Sequence, residues 1–280
     1  MTAETATFAI AHTLLDDAMT APAWTNLGCW QLPDGAPITN YVEAAEQLAW
    51  RVGAAAITST GQCVADLGCG HGASLLFWQQ QFAAGHVIGI ELQATCVAGW
   101  PAHAREGLSM HQGRFDQLPL PEAVISKLPP EGCDTVVCVD AAYHADSLGA
   151  FAAVAKNLLR SQGRLAFTTV LKPSHSGMLR QIQHRLITTL TGIPKASFVT
   201  ASELEHTLTR LGFEAIRIEC LDAEVLQGFA DFVARRSAEL PTTKKRALAW
   251  LKIAGTAALC RHWLRWQRAH YVLVSAQRTD

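Results

Sequence analysis

The sequence predicts an α/β fold: a seven-stranded, mostly parallel, Rossmann-like sheet with helices on both faces and a helical lid. Apolar segments of strand length alternate with helical segments along the 280-residue chain. Strands joined through helices pair in parallel with right-handed crossovers. A glycine-rich turn follows the first strand, and the second strand ends on a carboxylate. The predicted strands are 62–67, 86–91, 108–112, 134–140, 163–170, 212–219 and 270–276.

Helical segments fill the intervals between these strands. Residues 41–56 place apolar side chains at a period of about 3.6 residues, which gives one apolar face. Two further helices end in Arg160 and Arg210 and are followed by Gly163 and Gly212, a common way for a helix to stop. The predicted helices are 41–56, 73–83, 93–105, 147–160, 176–190 and 201–211.

The interval between the sixth and seventh strands is far longer than a hairpin needs. The open carboxyl edge of the sheet is the surface on which such an insertion can pack. We therefore expect it to form one lid together with the N-terminal residues and a helix at about 173–200. The predicted regions are an N-terminal helical cap (1–60), a Rossmann-like core (61–220), a helical lid insertion (221–268) and the final strand of the core (269–280).

The composition is that of a chain with a full core and little net charge. Hydrophobic residues make up 49% of the chain and the formal net charge is −1, which gives no general attraction to nucleic acid or to anionic membranes. The eight cysteines include no C-x-x-C pair, so we expect neither a disulfide scaffold nor a metal site. No secretion signal or long apolar span is recognised, and the expected location is the cytoplasm.

The glycine-rich turn after the first strand fits two classes of cofactor. Gly68, Gly70 and Ala73 meet the dinucleotide pattern G-x-G-x-x-G/A, whereas Asp66 and Gly72 extend the motif to D-x-G-x-G-x-G. Glycine lets the backbone adopt left-handed conformations and approach a ligand closely. Asp66 would repel a pyrophosphate but attract the ammonium and sulfonium groups of S-adenosylmethionine. The longer motif therefore favours S-adenosylmethionine, with a dinucleotide or a turn without ligand as the alternatives.

Glu91 ends the second strand about 20 residues after this turn. Parallel strands deliver their carboxyl ends to the same edge of a sheet, so Glu91 and the turn are expected to face one pocket. The carboxylate is then placed to accept hydrogen bonds from a ribose diol, and it would repel a 2′-phosphate.

Several motifs from Asn26 onward match one family. They cover about residues 26–220, and the glycine motif with its acidic partner is the most specific of them. The matching segments are Asn26–Trp30, Val64–Gly72, Ile88–Glu91, Asp134–His144 and Leu158–Leu165. On these segments the chain resembles the class I S-adenosylmethionine-dependent methyltransferases of the ubiquinone/menaquinone type, a group that also includes tocopherol and natural-product methyltransferases.

The resemblance implies S-adenosylmethionine as the cofactor and a small molecule as the substrate. The glycine turn would hold the methionine part, Glu91 would hold the ribose, and the turn at 140–144 would border the methyl-transfer site. The predicted cofactor-binding residues are Asp66, Gly68, Cys69, Gly70, Gly72, Glu91, Leu92, Phe115, Asp116 and Asp140.

The chain departs from the family pattern at two places. Relatives carry Gly-Asp-Ala shortly before Leu-Pro, where the aspartate or its neighbour reads the adenine amino group; this chain has Gly113–Phe115 before Leu118-Pro119. Asp116 is the expected substitute, and Phe115 is expected to stack on adenine. Thr168-Thr169 stands where some relatives have an aspartate as catalytic partner.

Tyr143 and His144 follow the fourth predicted strand and are the predicted catalytic residues. Methyl transfer is an in-line displacement that needs an aligned nucleophile and, where that nucleophile carries a proton, a base. His144 is the predicted base and substrate contact, with a capping role at the strand end as the alternative. Tyr143 would orient the substrate or cover the methyl group. Asp140 is expected to contact the cofactor or a helix N terminus.

Aromatic and basic residues in the lid regions support further hypotheses. Trp30 is predicted to contact substrate or sulfonium through a cation–π interaction, with lid packing as the alternative. Within 221–268, lysines and arginines outnumber the acidic residues and are interleaved with tryptophans. This pattern fits peripheral contact with anionic lipid, a lid that attracts an anionic substrate, or a helix pair with one solvated basic face.

The sequence thus predicts S-adenosylmethionine-dependent methyl transfer to an oxygen or nitrogen atom of a small molecule. Transfer to carbon is disfavoured because no second acidic residue is placed to stabilise a carbocation or enolate. The alternatives are a nicotinamide-dependent oxidoreductase and a non-catalytic cofactor-binding module with a basic docking helix. No nucleic-acid partner is expected, since the core carries no aromatic-basic recognition motif. The oligomeric state is left open.

Overall fold

The computed structural model describes residues 14–15, 23–100, 106–174 and 192–280. Its strands are β1 (Cys63–Leu67), β2 (His86–Glu91), β3 (Leu108–Gln112), β4 (Cys133–Cys138), β5 (Leu159–Leu171), β6 (Phe213–Cys220) and β7 (His270–Arg278). They form one seven-stranded sheet in the order β3-β2-β1-β4-β5-β7-β6. Strands β1 to β5 pair in parallel, and β7 runs antiparallel to both of its neighbours. The predicted fold class is confirmed.

Helices connect these strands and cover the sheet. The α-helices of the described ranges are α1 (Tyr41–Ala56), α2 (Ala73–Phe82), α3 (Ala94–Ala98), α4 (Glu122–Ile125), α5 (Leu148–Leu158), α6 (Ala201–Arg210), α7 (Gly228–Glu239), α8 (Thr242–Lys245) and α9 (Leu248–Trp266). A 3-10 turn at Ala142–His144 follows β4, and a π-helical turn at Asp222–Gln227 precedes α7.

Most predicted boundaries agree with the structure to within a few residues. Strand β5 begins earlier than predicted because Leu159 already pairs with Cys133, ahead of a register shift. Where the sequence predicts a helix at 93–105, α3 ends at Ala98, since the next residue is glycine and helices tolerate glycine poorly; residues 101–105 lie outside the described ranges. The predicted helix at 176–190 lies outside the described residues.

Within the predicted N-terminal cap (1–60), α1 is helical, whereas the described residues 23–40 that precede it are not. Residues 23–40 form a loop with one isolated bridge between Gln31 and Pro37. Gly28 has a φ of 76°, and prolines in this stretch lack the amide N–H that a helix interior needs. The loop is held by tertiary contacts instead, such as the Cys29 amide donating to the Ala44 carbonyl over 2.8 Å.

Each face of the sheet buries its own hydrophobic cluster. Side chains alternate along a strand, so Val64 of β1 joins a cluster with α1, α2, α7 and α9, whereas Ala65 joins a second cluster with α5 and α6. The N-terminal loop and the insertion share the first cluster: the indole of Trp30 stacks on Phe232 of α7 at 4.4 Å. The described parts of 1–60 and 221–268 therefore pack as one layer.

No helix within the described ranges combines the length and the apolar character that a bilayer span requires.

Candidate functional site

A cavity of about 1160 Å³ opens at the carboxyl ends of the parallel strands and is closed on one side by α9. Ligand pockets in proteins usually measure ~300–1,000 Å³, so this cavity has room for a cofactor and a second molecule. The predicted site residues on its wall are Gly68, Gly70, Glu91, Leu92, Phe115, Asp116, Asp140, Tyr143 and His144. The predicted site residues that do not line it are Trp30, Asp66, Cys69 and Gly72.

The turn after β1 is shaped by glycine conformations that other residues rarely adopt. Gly68 has a φ of 76°, and a Cβ on it would lie 2.6 Å from the Cβ of Ala141. Gly72 immediately precedes α2 with a φ of 85°, and a Cβ there would lie 2.2 Å from the ring of Trp100. Glycine at these two positions therefore allows the turn to pack closely against Ala141 and Trp100, and Gly68 also lies on the cavity wall.

Glu91 lies opposite this turn and is fixed by two backbone donors. Its Oε2 accepts from the Gly70 amide and its Oε1 accepts from the Gln93 amide, each over 2.9 Å. A carboxylate offers about four acceptor positions, so about two remain for a ligand in the cavity. The sequence-based expectation of a diol-binding carboxylate is compatible with this arrangement.

Asp66 lies behind the turn, away from the cavity wall. The Trp78 indole donates to its Oδ2 over 2.7 Å and thereby ties the end of β1 to α2. Burial raises the pKa of the carboxyl from 3.8 to about 6. The side chain is only 1% exposed, and its hydrogen bond with Trp78 anchors α2.

Arg114 and Asp116 form a rigid ion pair on the cavity wall. The guanidinium binds the Asp116 carboxylate through Nε (3.0 Å) and Nη2 (2.8 Å), and Nη2 also binds Asp146 at 2.9 Å. The Asp146 amide donates to Asp116 Oδ2 over 2.6 Å. Asp116 is the expected substitute for the adenine-reading aspartate. Three protein hydrogen bonds thus occupy most of the acceptor positions of its carboxylate. Sequence reasoning named no role for Arg114, although its place where relatives carry aspartate was a signal.

Asp140 connects three separate parts of the chain. It has a φ of 57°, and its Oδ2 accepts from the Leu27 amide over 2.7 Å. Its Oδ1 accepts from the hydroxyls of Tyr143 (2.8 Å) and Tyr271 (2.9 Å), while its own amide donates to Thr168 Oγ1 over 2.7 Å. Burial raises the pKa of its carboxyl to about 6. The residue therefore orders the turn that carries the predicted catalytic pair.

His144 ends the 3-10 turn, and its side chain lies on the cavity wall beside Tyr143, with ring centroids 4.4 Å apart. Burial lowers the pKa of its imidazole to about 4. The ring is consequently neutral at pH 7 and able to accept a hydrogen bond from a hydroxyl group.

Trp30 is enclosed in the lid layer. Its indole N–H donates to the Leu27 carbonyl over 2.9 Å, and its ring is stacked on Phe232. In this structure Trp30 therefore packs within the lid, which was the alternative to a cation–π contact.

Helix α9 supplies a wall of the cavity; the insertion 221–268 was expected to lie over this edge of the sheet, but none of the lining residues was named from the sequence. Its contributing residues include Lys252, Thr256, Leu259 and Trp263. Their spacing of four, three and four residues was visible in the sequence, but which face of α9 meets the sheet depends on tertiary packing.

Comparison with known proteins places this site in a family. Residues 43–218 match the model of the family described as "Methyltransferase domain". The chain is 26% identical to the erythromycin 3''-O-methyltransferase of Saccharopolyspora erythraea over 229 residues, covering 79% of this chain and 71% of that protein.

Solved structures share the fold. The [4+2]-cyclase SpnF superposes with a TM-score of 0.67 at 20% identity, covering 95% of this chain and 92% of that one. The geranyl diphosphate C-methyltransferase of Streptomyces coelicolor A3(2) superposes with a TM-score of 0.68 at 15% identity, covering 96% and 97%.

The family match decides between the two cofactor classes that the glycine turn allowed. Carboxylates of Glu91, Asp116, Asp140 and Asp146 surround the strand-end half of the cavity, and such a set suits a cofactor that carries ammonium and sulfonium charges. The chain belongs to the methyltransferase-domain family and is a class I S-adenosylmethionine-dependent methyltransferase.

Proposed function

We propose that the enzyme transfers a methyl group to an oxygen or nitrogen atom of a small molecule and that His144 accepts the proton released by that atom. The observation that carries the proposal is a neutral imidazole on the cavity wall, directly after β4 and beside Tyr143. Similarity to the erythromycin 3''-O-methyltransferase supports an oxygen acceptor.

The residues at the strand ends would hold the cofactor. Bound S-adenosylmethionine supplies an electrophilic methyl group on a positively charged sulfur atom. Glu91 would accept hydrogen bonds from the ribose hydroxyls, and Gly68 with Gly70 would admit the methionine part close to the backbone. Phe115 would stack on adenine, and the acceptor position left on Asp116 would face the adenine amino group.

His144 then acts on the substrate side of the cavity. A ring nitrogen accepts the hydroxyl proton as the new carbon–oxygen bond forms, so the substrate oxygen ends neutral and the imidazole ends protonated. A weak base is sufficient, because the hydroxyl becomes strongly acidic as it is alkylated. Asp140 acts as a positioning residue, since it holds the Tyr143 hydroxyl and with it the ring beside His144.

The described parts of the N-terminal region and of 221–268 would serve as one lid over the substrate half. The contact between Trp30 and Phe232 supports this division, as does the Trp30 amide, which donates to the Glu224 carbonyl over 2.8 Å. Such a lid would exclude water from the displacement.

The test is transfer of label from methyl-labelled S-adenosylmethionine into a fractionated cell extract. We expect label in a small product, and His144→Ala should lower the rate about 100-fold while leaving cofactor affinity unchanged. His206→Ala is the matched control, because His206 is exposed on α6 and away from the cavity. Loss of cofactor binding in His144→Ala would move His144 into the cofactor site. Cofactor binding without any labelled product would favour the non-catalytic module.

A further inference from the structure

The two halves of the cavity carry different charges. Its acidic residues, Glu91, Asp116, Asp140 and Asp146, all come from the strand ends and the turns that follow them. The α9 wall contributes no acidic residue to the described lining, and it carries Lys252. Arg114 is also on the wall, but Asp116 and Asp146 neutralise it.

Lys252 makes no ion pair with any residue in the described ranges, and its side chain is exposed. Thr256, one turn further along α9, donates its hydroxyl to the Lys252 carbonyl over 3.1 Å. Leu259 and Trp263 continue the same stripe of the helix. The wall is therefore mainly apolar, with one cation toward its N-terminal end.

The same helix reaches the methyl-transfer turn at Cys260. Cys260 lines the cavity together with Asp140 and Tyr143, and burial together with the nearby Asp140 carboxylate raises the pKa of the Cys260 thiol to about 12. Lys252 lies eight residues before Cys260 on the same helix, and an α-helix rises about 1.5 Å per residue, so the two backbone positions are about 12 Å apart along the wall.

We propose that the substrate is an elongated, mainly apolar molecule with an anionic group that binds Lys252, about 12 Å from the methyl-accepting atom. This inference rests on the methyl transfer proposed above. A carboxylate, sulfate or phosphate would each meet this requirement.

The charge distribution would also orient such a substrate. The strand-end acids attract the cationic cofactor and repel an anionic group, so the acid end of the substrate is driven toward Lys252. The opposite end is then directed to the turn with Tyr143 and His144. Lys252 would be a specificity-determining residue that does not touch the reacting atoms.

A matched pair of probes tests this proposal: 10-hydroxydecanoic acid and its methyl ester, which share the chain and the hydroxyl but differ in charge. Each is titrated into the full-length enzyme loaded with S-adenosylhomocysteine, with tryptophan fluorescence as the readout, since Trp263 lines the cavity. We expect the acid to bind about fivefold more tightly than the ester at low salt, and the preference to shrink as salt is added.

Variants test whether Lys252 causes the preference for the acid over its ester. Lys252→Gln should abolish it and Lys252→Arg should retain it. Lys245→Gln, in α8 and outside the cavity lining, should leave it unchanged. An acid that binds no better than its ester, or a preference that survives in Lys252→Gln, would overturn the proposal.

The experiment separates this inference from the proposed function. S-adenosylmethionine affinity, measured by calorimetry on the same variants, should not change. Label transfer by an enzyme without acid preference would overturn only the assignment to Lys252. Absence of label transfer despite cofactor binding would overturn the proposed function itself.

Discussion

The backbone amide of Leu27 donates to the Asp140 carboxylate over 2.7 Å, although 113 positions separate the two residues in the sequence. Leu27 belongs to the N-terminal loop and Asp140 to the turn after β4, and both line the cavity. A single half-buried carboxylate thus joins the loop to the turn that carries Tyr143. The same carboxylate also accepts from Tyr271 of β7.

Tyr271→Phe is expected to move the acid limb of the pH–rate profile to higher pH. The Tyr271 hydroxyl stabilises the ionised Asp140, whose pKa burial has already raised to about 6. Loss of this donor raises the pKa further, so the ordered turn is lost at a higher pH. Profiles of kcat/KM measured from about pH 5 to 8 report the shift.

Tyr41→Phe is the control for this substitution. Tyr41 is also a buried tyrosine, and its hydroxyl donates to the Asn26 carbonyl over 2.8 Å. In the described contacts the Tyr271 hydroxyl bonds Asp140 and Thr168 but neither Asp66 nor His144. The pKa values of Asp66 and His144 should therefore not change in Tyr271→Phe. An acid limb that stays in place in Tyr271→Phe, or moves equally in Tyr41→Phe, would contradict the role of Asp140.

Trp78→Phe is expected to lower the free energy of unfolding by about 1–3 kcal/mol, and more at pH 8 than at pH 5. The pKa of Asp66 is raised to about 6 in the folded state, so folding favours the protonated carboxyl. Stability contributed by this group therefore falls as pH rises from about 4 to about 6. Without the indole donor the pKa of Asp66 in the folded state rises further. The variant therefore loses more stability between low and high pH than the wild type, and the loss continues to higher pH.

Urea unfolding at the two pH values measures this difference. Trp50→Phe is the control, since Trp50 is 41% exposed on α1 and should show little change at either pH. A loss in Trp78→Phe that is equal at both pH values would show that Asp66 does not respond to the indole.

Glu91→Ala is expected to weaken S-adenosylmethionine binding by about 1–3 kcal/mol, because it removes charge-assisted hydrogen bonds to the ribose. It also removes the acceptor that fixes the Gly70 amide. Calorimetric titration measures the loss, with the exposed Glu131→Ala as control. Affinity that remains at the wild-type level would remove Glu91 from the cofactor site.

Arg114→Leu is expected to destabilise the fold by about 2 kcal/mol. The Arg114 side chain is 35% exposed, but the Asp116 side chain is only 3% exposed, so most of the cost comes from a buried carboxylate that loses its partner. In the double variant Arg114→Leu/Asp116→Asn this charge is absent. The loss should then be about 1 kcal/mol smaller than the sum of the single variants, as a double-mutant cycle would show. Additive losses would mean that the pair is not coupled.

The sheet was predictable from sequence because each strand is an apolar run bounded by turn residues, and parallel order follows from the helices between strands. The same logic placed Gly68, Gly70 and Glu91 on one cavity wall. It did not reveal that Asp66 turns toward Trp78, since the direction of a side chain at a strand end depends on packing.

The lid was less predictable. Trp30 was a plausible cation–π partner by residue type, but its ring is covered by Phe232. The basic composition of 221–268 was compatible with three interpretations, and the structure places Lys252 of α9 on the cavity wall. This position is the observation from which we propose that Lys252 binds an anionic group of the substrate.

The insertion leaves the sheet at Cys220 and returns at His270, and Cys220 pairs with Val272. Its two ends are therefore adjacent across one antiparallel ladder, so the intervening segment could be lengthened, shortened or exchanged without changing any strand pairing. Because the proposed cofactor residues follow β1, β2, β3 and β4, we expect such an exchange to change the substrate wall formed by α9 and to leave the cofactor half in place. Chimeras joined at these two positions would combine the cofactor site of this enzyme with the substrate wall of another, so that the acceptor molecule changes while the methyl donor stays the same.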